Sequence, residues 1–451
     1  MITYEEYSLV KTLNKLIESK DWRQIKNILE DIPPSDFVHI LEDFDEETGL
    51  LLFRLLPKEK AAKVFAELEP DRQEEILKNL GNRKIRQIIL ELPPDDRTEV
   101  FGDLPGNITQ KLLNVLPPEE RKEALSLLCY SEESVGRLMT PDYIAVKSFW
   151  TIGRALDHIR EFGKDAETVD IVYVVDSKWH LIDSLPLRKF ILADPEAKVE
   201  SIMDRKFISI YADEDQEEAA RRMKKYDLVA LPVIDKDGVL MGIVTVDDIL
   251  DVLEEETTED FQKGAAIAPV GIKYSVASPL VLYLKRISWL SILLIVDFVT
   301  STVISRYEDV LKSVIALAFF IPALIDTGGN TSTQSATLII RALSTGELTV
   351  RKWFSVVKKE ILTGLFLGIS LGSIFFLRIA LLRQGLLLGL TLGLTIVCIV
   401  IISNLLGAIL PIILTKLRLD PAVVSSPFLT SIVDILGVLI YFSIARLIFT
   451  L

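Results

Sequence analysis

The sequence predicts a multidomain membrane protein: an α-helical superhelix domain, a tandem α/β pair, a connecting helix and a five-helix transmembrane bundle. Three observations predict it. Prolines recur at roughly twelve-residue steps through residues 31–128. Two stretches about 64 residues apart repeat one alternation of extended and helical patterns. Beyond residue 284 the chain is dominated by long apolar stretches, each sufficient to cross a hydrocarbon layer of about 30 Å. The expected boundaries are 1–131, 132–252, 253–283 and 284–451.

The first domain repeats a phrase: LLPKEKAAKVFAEL, LEPDRQEEILKNL, LPPDDRTEVFGDL and LPPEERKEALSLL are four of its copies. Prolines 34, 57, 70, 94, 105 and 118 each precede an acidic or polar turn and a pair of apolar positions three or four apart. Proline at a helix start costs no hydrogen bond, and acidic residues in the first turn complement the helix dipole. Short helices that bury only one face must stack on their neighbours, which predicts a superhelix.

Residues 132–252 read strand, helix, strand, turn, strand, helix, twice. VVDSKWHL and VIDKDGVL are the expected hairpin turns between apolar strands. The duplicated βαββα pattern resembles a pair of CBS modules that associate as one unit. Residues 253–283 begin as a strongly acidic helix and end as a linker. Carboxylates crowded on one helix face repel one another unless cations are near.

Charge divides the chain. Residues 1–284 carry 36 Lys and Arg against 56 Asp and Glu, a net of −20, whereas residues 285–451 carry 14 against 8. The acidic half repels nucleic acid and attracts cations. Cys129 and Cys398 form no disulfide framework or thiolate metal motif. His39, His158 and His180 have no ligand spacing, and the first two lie in helix-like stretches that suggest structural roles. The N-terminus lacks the pattern of a signal peptide, so the acidic half is expected to be cytoplasmic.

The expected spans are 286–305, 311–328, 355–382, 386–414 and 421–449. Arg341, Arg351, Lys352, Lys358, Lys359, Lys416 and Arg418 fall in connections 2–3 and 4–5. The positive-inside rule then puts the N-terminus inside and the C-terminus outside a cell membrane. Pro322, Gly328 and Gly329 are expected to break the second span near its cytoplasmic end, next to Asp326. Glycines at four-residue spacing in the third and fourth spans are read as packing sites.

Asp434 is the anomaly of the fifth span, FLTSIVDILGVLIYF. A lone ionised Asp at bilayer depth costs about 2.5–3.5 kcal/mol, so lipid exposure is excluded. Thr430, Ser431 and Gly437 share its face. Either it hydrogen-bonds a neighbouring helix, or it faces a cation path. The spans carry no Cys, His or Met cluster, which disfavours soft metals. Sparse oxygen contacts suit Mg²⁺, which gives up its waters reluctantly; Ca²⁺ prefers a denser oxygen cage. Asp297, in the first span, is read as structural.

PALIDTGGNTSTQSATLIIRAL and DPAVVSSPFLTSIVD, together with the order of the domains, resemble the MgtE family of magnesium channels over nearly the whole chain. The resemblance implies no enzyme activity. It implies a homodimer with a central pore lined mainly by spans two and five, with Asp434 as the pore carboxylate. Asp326, Gly328, Gly329, Asn330, Ser426 and Thr430 fall along the same path. Ser426 stands where family members often carry Asn, and Asp297 and Asp326 are additional acids. The resemblance also implies a gate: Mg²⁺ bound between acidic cytosolic domains closes the pore through the connecting helix. Its candidate sensors are Asp95 and Glu99, then Asp227, Asp248 and Asp251, then Glu255, Glu259 and Asp260; each is alternatively a solvated carboxylate. Gly242, Thr245 and Asp248 have the G-x-x-T-x-x-D spacing of nucleotide-binding CBS modules, and Arg188 adds charge for a phosphate. ATP is the expected nucleotide. With no Walker loop, it is not expected to be hydrolysed.

Two other functions fit the same residues. One is a secondary transporter coupled to H⁺ or Na⁺ in which Asp434 takes up a proton. The other is a membrane sensor whose CBS pair reports to a partner without moving ions.

Overall fold

The computed structural model describes residues 4–270, 274, 277–383, 385–423 and 426–450. The chain divides into two compact units, Met1–Glu254 and Glu255–Leu451.

The first unit opens with ten helices: α1 (Tyr4–Ser19), α2 (Trp22–Asp31), α3 (Pro34–Glu42), α4 (Glu46–Leu55), α5 (Lys58–Ala66), α6 (Pro70–Asn79), α7 (Asn82–Glu91), α8 (Pro94–Asp103), α9 (Gly106–Val115) and α10 (Pro118–Leu128). Pro34, Pro70, Pro94 and Pro118 each begin a helix, and Pro57 and Pro105 are N-caps. The repeated phrase therefore encodes one short helix per unit. Leu29, Phe37, Leu52, Phe53, Phe65 and Ile89 are fully buried in one core running through the stack. Each large side chain contributes about 1.5–3 kcal/mol by burial.

Side chains from later helices close the carbonyl ends of earlier ones. Lys60 of α5 donates to the carbonyls of Leu29 (2.6 Å), Glu30 (3.2 Å) and Ile32 at the end of α2. Lys84 of α7 donates to the carbonyl of Arg54 in α4 (2.7 Å). Burial lowers the pKa of both lysines. Gln73 caps α5 through Phe65 (2.9 Å), and Thr109 caps α8 through Phe101 (3.0 Å). A cation or amide there satisfies carbonyls that the helix leaves unpaired.

After α11 (Val135–Leu138) come two three-stranded sheets. The first contains β1 (Ala145–Lys147), β2 (Ile171–Val175) and β3 (Leu181–Pro186), with α12 (Ile152–Phe162) and α13 (Leu187–Leu192). The second contains β4 (Ile210–Tyr211), β5 (Ala230–Ile234) and β6 (Leu240–Thr245), with α14 (Gln216–Tyr226) and α15 (Val246–Gly264). In each sheet the first pairing is parallel and the second antiparallel, with an irregularity at Val174/Val175 or Val233/Ile234. Asp176 and Asp235 hold the two hairpin turns alike, each accepting two backbone N–H groups. The hairpins also pair with one another: Leu181 N–H donates to Gly238 O (3.0 Å) and Leu240 N–H to Trp179 O (3.1 Å). The duplicated sequence thus folds as one joined pair. His158 packs against Trp150 and Phe162 at ring distances of 5.2 and 4.6 Å.

The second unit contains α16 (Pro279–Ser305), α17 (Glu308–Ser313), α18 (Ile321–Ser344), α19 (Trp353–Leu381), α20 (Leu386–Lys416) and α21 (Ser426–Phe449). Among the described residues, four helices are long and apolar enough to cross a membrane: α16, α19, α20 and α21. The helix α18 is 24 residues long, but its TGGNTSTQS stretch is polar. The expected second span at 311–328 is corrected. Those residues divide between the end of α17, a 3-10 segment at Ile315–Phe320 and the start of α18. The expected break at Pro322, Gly328 and Gly329 is corrected as well. Pro322 occupies the first turn, where its missing N–H costs nothing, and both glycines lie inside the continuous helix. The break falls instead at Val314, with φ −137° and ψ 80°.

Glycines let these helices approach closely. A Cβ on Gly372 would come within 2.8 Å of Gly393 O, and one on Gly407 within 2.3 Å of Ser332 O. The packing role expected of the third- and fourth-span glycines holds for Gly364, Gly368, Gly372, Gly389 and Gly393, whereas Gly385 (φ 104°) is the N-cap of α20 and meets nothing within 4 Å.

Candidate cation path and carboxylate cluster

Asp434 lies mid-helix in α21, one turn from Thr430 and Gly437. Its Oδ1 is buried and has no hydrogen-bond partner among the described residues. The charges of Asp297 on α16 and Asp326 on α18 reach it, so carboxylates from three helices act on one region. Asp326 accepts a hydrogen bond from Asn330 (3.1 Å), and both are exposed on α18 within this chain. Gly328 abuts Val433, Ile399 and Ser403, while Gly329 abuts Thr430. Their missing side chains are what lets α18 sit against α20 and α21. Thr430 donates to the carbonyl of Ser426 (3.0 Å). Among the described residues, no three His, Cys, Asp or Glu side chains are grouped to hold a metal ion.

A second concentration of charge lies in the first unit. Asp95, near the start of α8, is only 8% exposed. Its pKa stands well above the usual carboxylate range because of burial, then the charges of Asp248, Asp96 and Glu167. Asp96 is raised by burial and by Asp247, Asp251 and Glu67, with Lys63 opposing. Asp248 accepts from Thr245 N (3.1 Å) and Thr245 Oγ1 (2.8 Å), yet burial pushes it up to about 6. Asp251 and Glu167 are also raised, first by burial. The fold therefore joins predicted residues Asp95, Asp248 and Asp251 to Asp96, Asp247 and Glu167, which sequence reasoning missed. The acidic pairs at 95–96 and 247–248 were the available signal. Buried carboxylates whose charges also act on one another favour the uptake of protons or cations.

The other predicted sensors lie elsewhere. Glu99 is exposed on α8, and Asp227 is exposed at the left-handed C-cap of α14 (φ 52°). In the second unit, Glu255 is exposed, and Glu259 pairs with Lys263 (3.0 Å). Lys263 also pairs with Asp420 (2.8 Å). Burial alone would lower the Lys263 pKa, but the bonds and charges of Asp420 and Glu259 hold it above the usual lysine value. Asp260 is raised by burial and then by Asp420.

The proposed nucleotide residues are partly turned inward. A Cβ on Gly242 would meet Thr140 O at 2.7 Å and Met139 at 3.1 Å, so this glycine admits the chain's own backbone. The hydroxyl of Thr245 bonds to the carboxylates of Asp247 and Asp248. Arg188 is exposed in the first turn of α13.

Glu360 is a further residue missed in the sequence. This half-buried carboxylate of α19 accepts from Asn404 Nδ2 (2.8 Å) and Ser335 Oγ (3.2 Å). It is the single acid of α19, and Asn404 the single amide of α20. That pairing of isolated polar groups was the overlooked signal.

Three family models match the chain: a divalent cation transporter over residues 321–444, the MgtE intracellular N domain over 11–133, and the CBS domain over 199–255. The magnesium transporter MgtE of Thermus thermophilus is 42% identical over 445 residues, covering 98% of this chain and 99% of its own. The Bacillus subtilis protein of the same name is 34% identical, covering 98% of each chain. Among solved structures, the cytosolic domain of the Mg²⁺ channel MgtE in complex with ATP has a TM-score of 0.52 and 39% identity, covering 54% of this chain and 99% of that one. The soluble part of a magnesium transporter has a TM-score of 0.51 and 27% identity, covering 56% and 98%. With relatives matched from end to end, and with apolar helices that make it a multi-pass membrane protein, the chain belongs to the MgtE family, whose members are magnesium transporters and not enzymes.

Proposed function

We propose that this protein is a Mg²⁺ channel in which Asp434 faces the conducting path bordered by α18 and α21. One observation carries the reading: Asp434 Oδ1 is buried in an apolar helix without a protein partner. A carboxylate so placed is tolerable when a hydrated cation or its water completes the site. A homodimer brings two copies of Asp434 to one path, and Asp326, Gly328, Gly329, Asn330, Ser426 and Thr430 border it. The basic residues around 351–359 and 416–418 support a cytoplasmic N-terminus and an external C-terminus in the cell membrane.

The channel closes when cytosolic Mg²⁺ binds its acidic domains. Asp95, Asp248 and Asp251 act with Asp96, Asp247 and Glu167. Glu99, Asp227, Glu255, Glu259 and Asp260 are the remaining sensor candidates. Carboxylates that repel one another without metal bind a divalent ion more tightly in the compact state, and that difference shifts the population toward closure. ATP binds unhydrolysed at the CBS pair, near Thr245, Asp248 and Arg188. The likeness to a cytosolic domain crystallised with ATP supports this assignment.

The test is Mg²⁺ flux into liposomes containing the full-length protein. Flux that persists without H⁺ or Na⁺ gradients and disappears in Asp434→Ala is the expected result. Flux that requires either gradient favours the coupled transporter. Wild-type protein that passes no divalent ion favours the sensor. Undiminished flux in a folded Asp434→Ala variant removes the central residue.

A further inference from the structure

We propose that Glu360 is a positioning residue for conduction, fixing the rotation of α18 on the rest of the bundle; this rests on the reading that α18 borders the path. The observation is a carboxylate joined to three helices. Glu360 Oε2 on α19 accepts from Ser335 Oγ on α18 (3.2 Å) and from Asn404 Nδ2 on α20 (2.8 Å). Asn404 Nδ2 also donates to the backbone carbonyl of Glu360 (3.1 Å), and Ser335 Oγ to the carbonyl of Asn404 (3.0 Å). Ser335 and Asn404 are each only 3% exposed.

Close packing holds this junction from both sides. A Cβ on Gly364, one turn along α19 from Glu360, would come within 3.1 Å of Ile401 Cα and 3.4 Å of Asn404 Cβ. A Cβ on Gly407, three residues beyond Asn404, would meet Ser332 O at 2.3 Å and Ser335 Cβ at 3.0 Å. Packing therefore confines both donors to this junction, where the single Ser335 hydroxyl proton is shared between Glu360 Oε2 and Asn404 O.

The helix α18 needs such a device. In lipid, burial of apolar surface does not distinguish one rotation of a helix from another; packing and directional bonds do. Gly328 and Ser335 are seven residues apart on one face, and both meet α20. Asp326 is nine residues from Ser335, which at 3.6 residues per turn puts it about half a turn away. Fixing Ser335 to Glu360 therefore fixes where Asp326 and its partner Asn330 point. An ionised carboxylate takes both donors on one oxygen, whereas a glutamine amide introduces two N–H groups that need acceptors of their own.

The experiment reconstitutes full-length wild type, Glu360→Gln, Glu360→Ala, Ser335→Ala, the Ser335→Ala/Glu360→Ala double variant and Asp434→Ala in liposomes. It measures Mg²⁺ flux, the Mg²⁺:Co²⁺ flux ratio and thermal unfolding. Glu360→Ala is expected to lower Mg²⁺ flux about tenfold, on the scale of one or two interhelical hydrogen bonds, and to change the ion ratio. Glu360→Gln should fall between it and wild type. Ser335→Ala should change the ratio in the same direction, and the Ser335→Ala/Glu360→Ala double variant should be no worse than Glu360→Ala. Wild-type flux and ratio in Glu360→Ala overturn the proposal. So does flux that falls only in step with the unfolded fraction at an unchanged ratio. Should Glu360→Ala fail to fold, wild-type ratios in Glu360→Gln and Ser335→Ala overturn it equally. Loss of flux in Asp434→Ala with no effect at Glu360 refutes the positioning role alone; no effect at Asp434 refutes the path itself.

Discussion

Replacing Asp248 by asparagine should stabilise the protein in the absence of divalent cations at alkaline pH. Burial raises the Asp248 carboxyl from 3.8 to about 6 in the folded state. Its ionised form therefore opposes folding. The stability contribution is greatest below about pH 4, declines as pH rises through about 6, and stays at its lower level above that. A shift of roughly two units corresponds to about 3 kcal/mol. Asparagine removes the charge but weakens the two bonds from Thr245, at about 0.5–1.5 kcal/mol each. The net gain at pH 8 is about 1 kcal/mol, equivalent to a rise of roughly 2–4 °C in Tm for a unit of this size. The assay is thermal unfolding of full-length Asp248→Asn and wild type in detergent with EDTA at pH 5 and pH 8. The variant should melt higher at pH 8 and no higher at pH 5. Added Mg²⁺ should stabilise wild type more than the variant. A variant that melts lower at both pH values would mean that the bonds to Thr245 outweigh the charge penalty, and the electrostatic reasoning would fall.

Two further outcomes follow from the second unit. Asp420→Asn breaks one ion pair of partial exposure, and Lys263→Ala breaks that pair and the one with Glu259; each pair is worth about 1 kcal/mol or less. If the proposed gate holds, each variant should increase Mg²⁺ flux at the Mg²⁺ concentrations expected to close wild type, and the double variant should add little; additive effects would show that the two residues act separately. Gly407→Ala forces a methyl against Ser332 O, and overpacking of this kind costs about 1–3 kcal/mol. It should reduce the yield of monodisperse protein, measured by size exclusion, while Gly437→Ala, whose nearest contact is an ordinary 3.5 Å, should not.

Where local chemistry decides the structure, the sequence could be read directly. Pro70 and Pro94 begin helices because proline suits a first turn, and Asp176 and Asp235 mark equivalent hairpins because each carboxylate gathers two backbone N–H groups. Gly328 and Gly329 misled for a physical reason. In water two adjacent glycines weaken a helix, but here their bare faces receive Val433 and Thr430, and close packing sustains the helix. Asp96 and Asp247 could not be joined from the sequence, because about 150 residues separate them and only the tertiary fold brings their charges together. Glu360 follows Lys358 and Lys359 within the expected third span, and nothing adjacent to it in the sequence marks its partners. Its role depends on partners 25 residues before it and 44 after.

The lysine caps of the first domain bear on how the chain is made. Helix α2 ends at Asp31, but the ammonium that closes its carbonyl end belongs to residue 60; α4 ends at Leu55 and waits for residue 84. During synthesis each of these helices stays incomplete until about thirty more residues have left the ribosome, roughly 1.5–6 seconds at 5–20 residues per second. A translational pause that holds residues 32–60 inside the ribosome would therefore prolong the life of a frayed end, whereas a pause after residue 84 has emerged would find both ends already sealed.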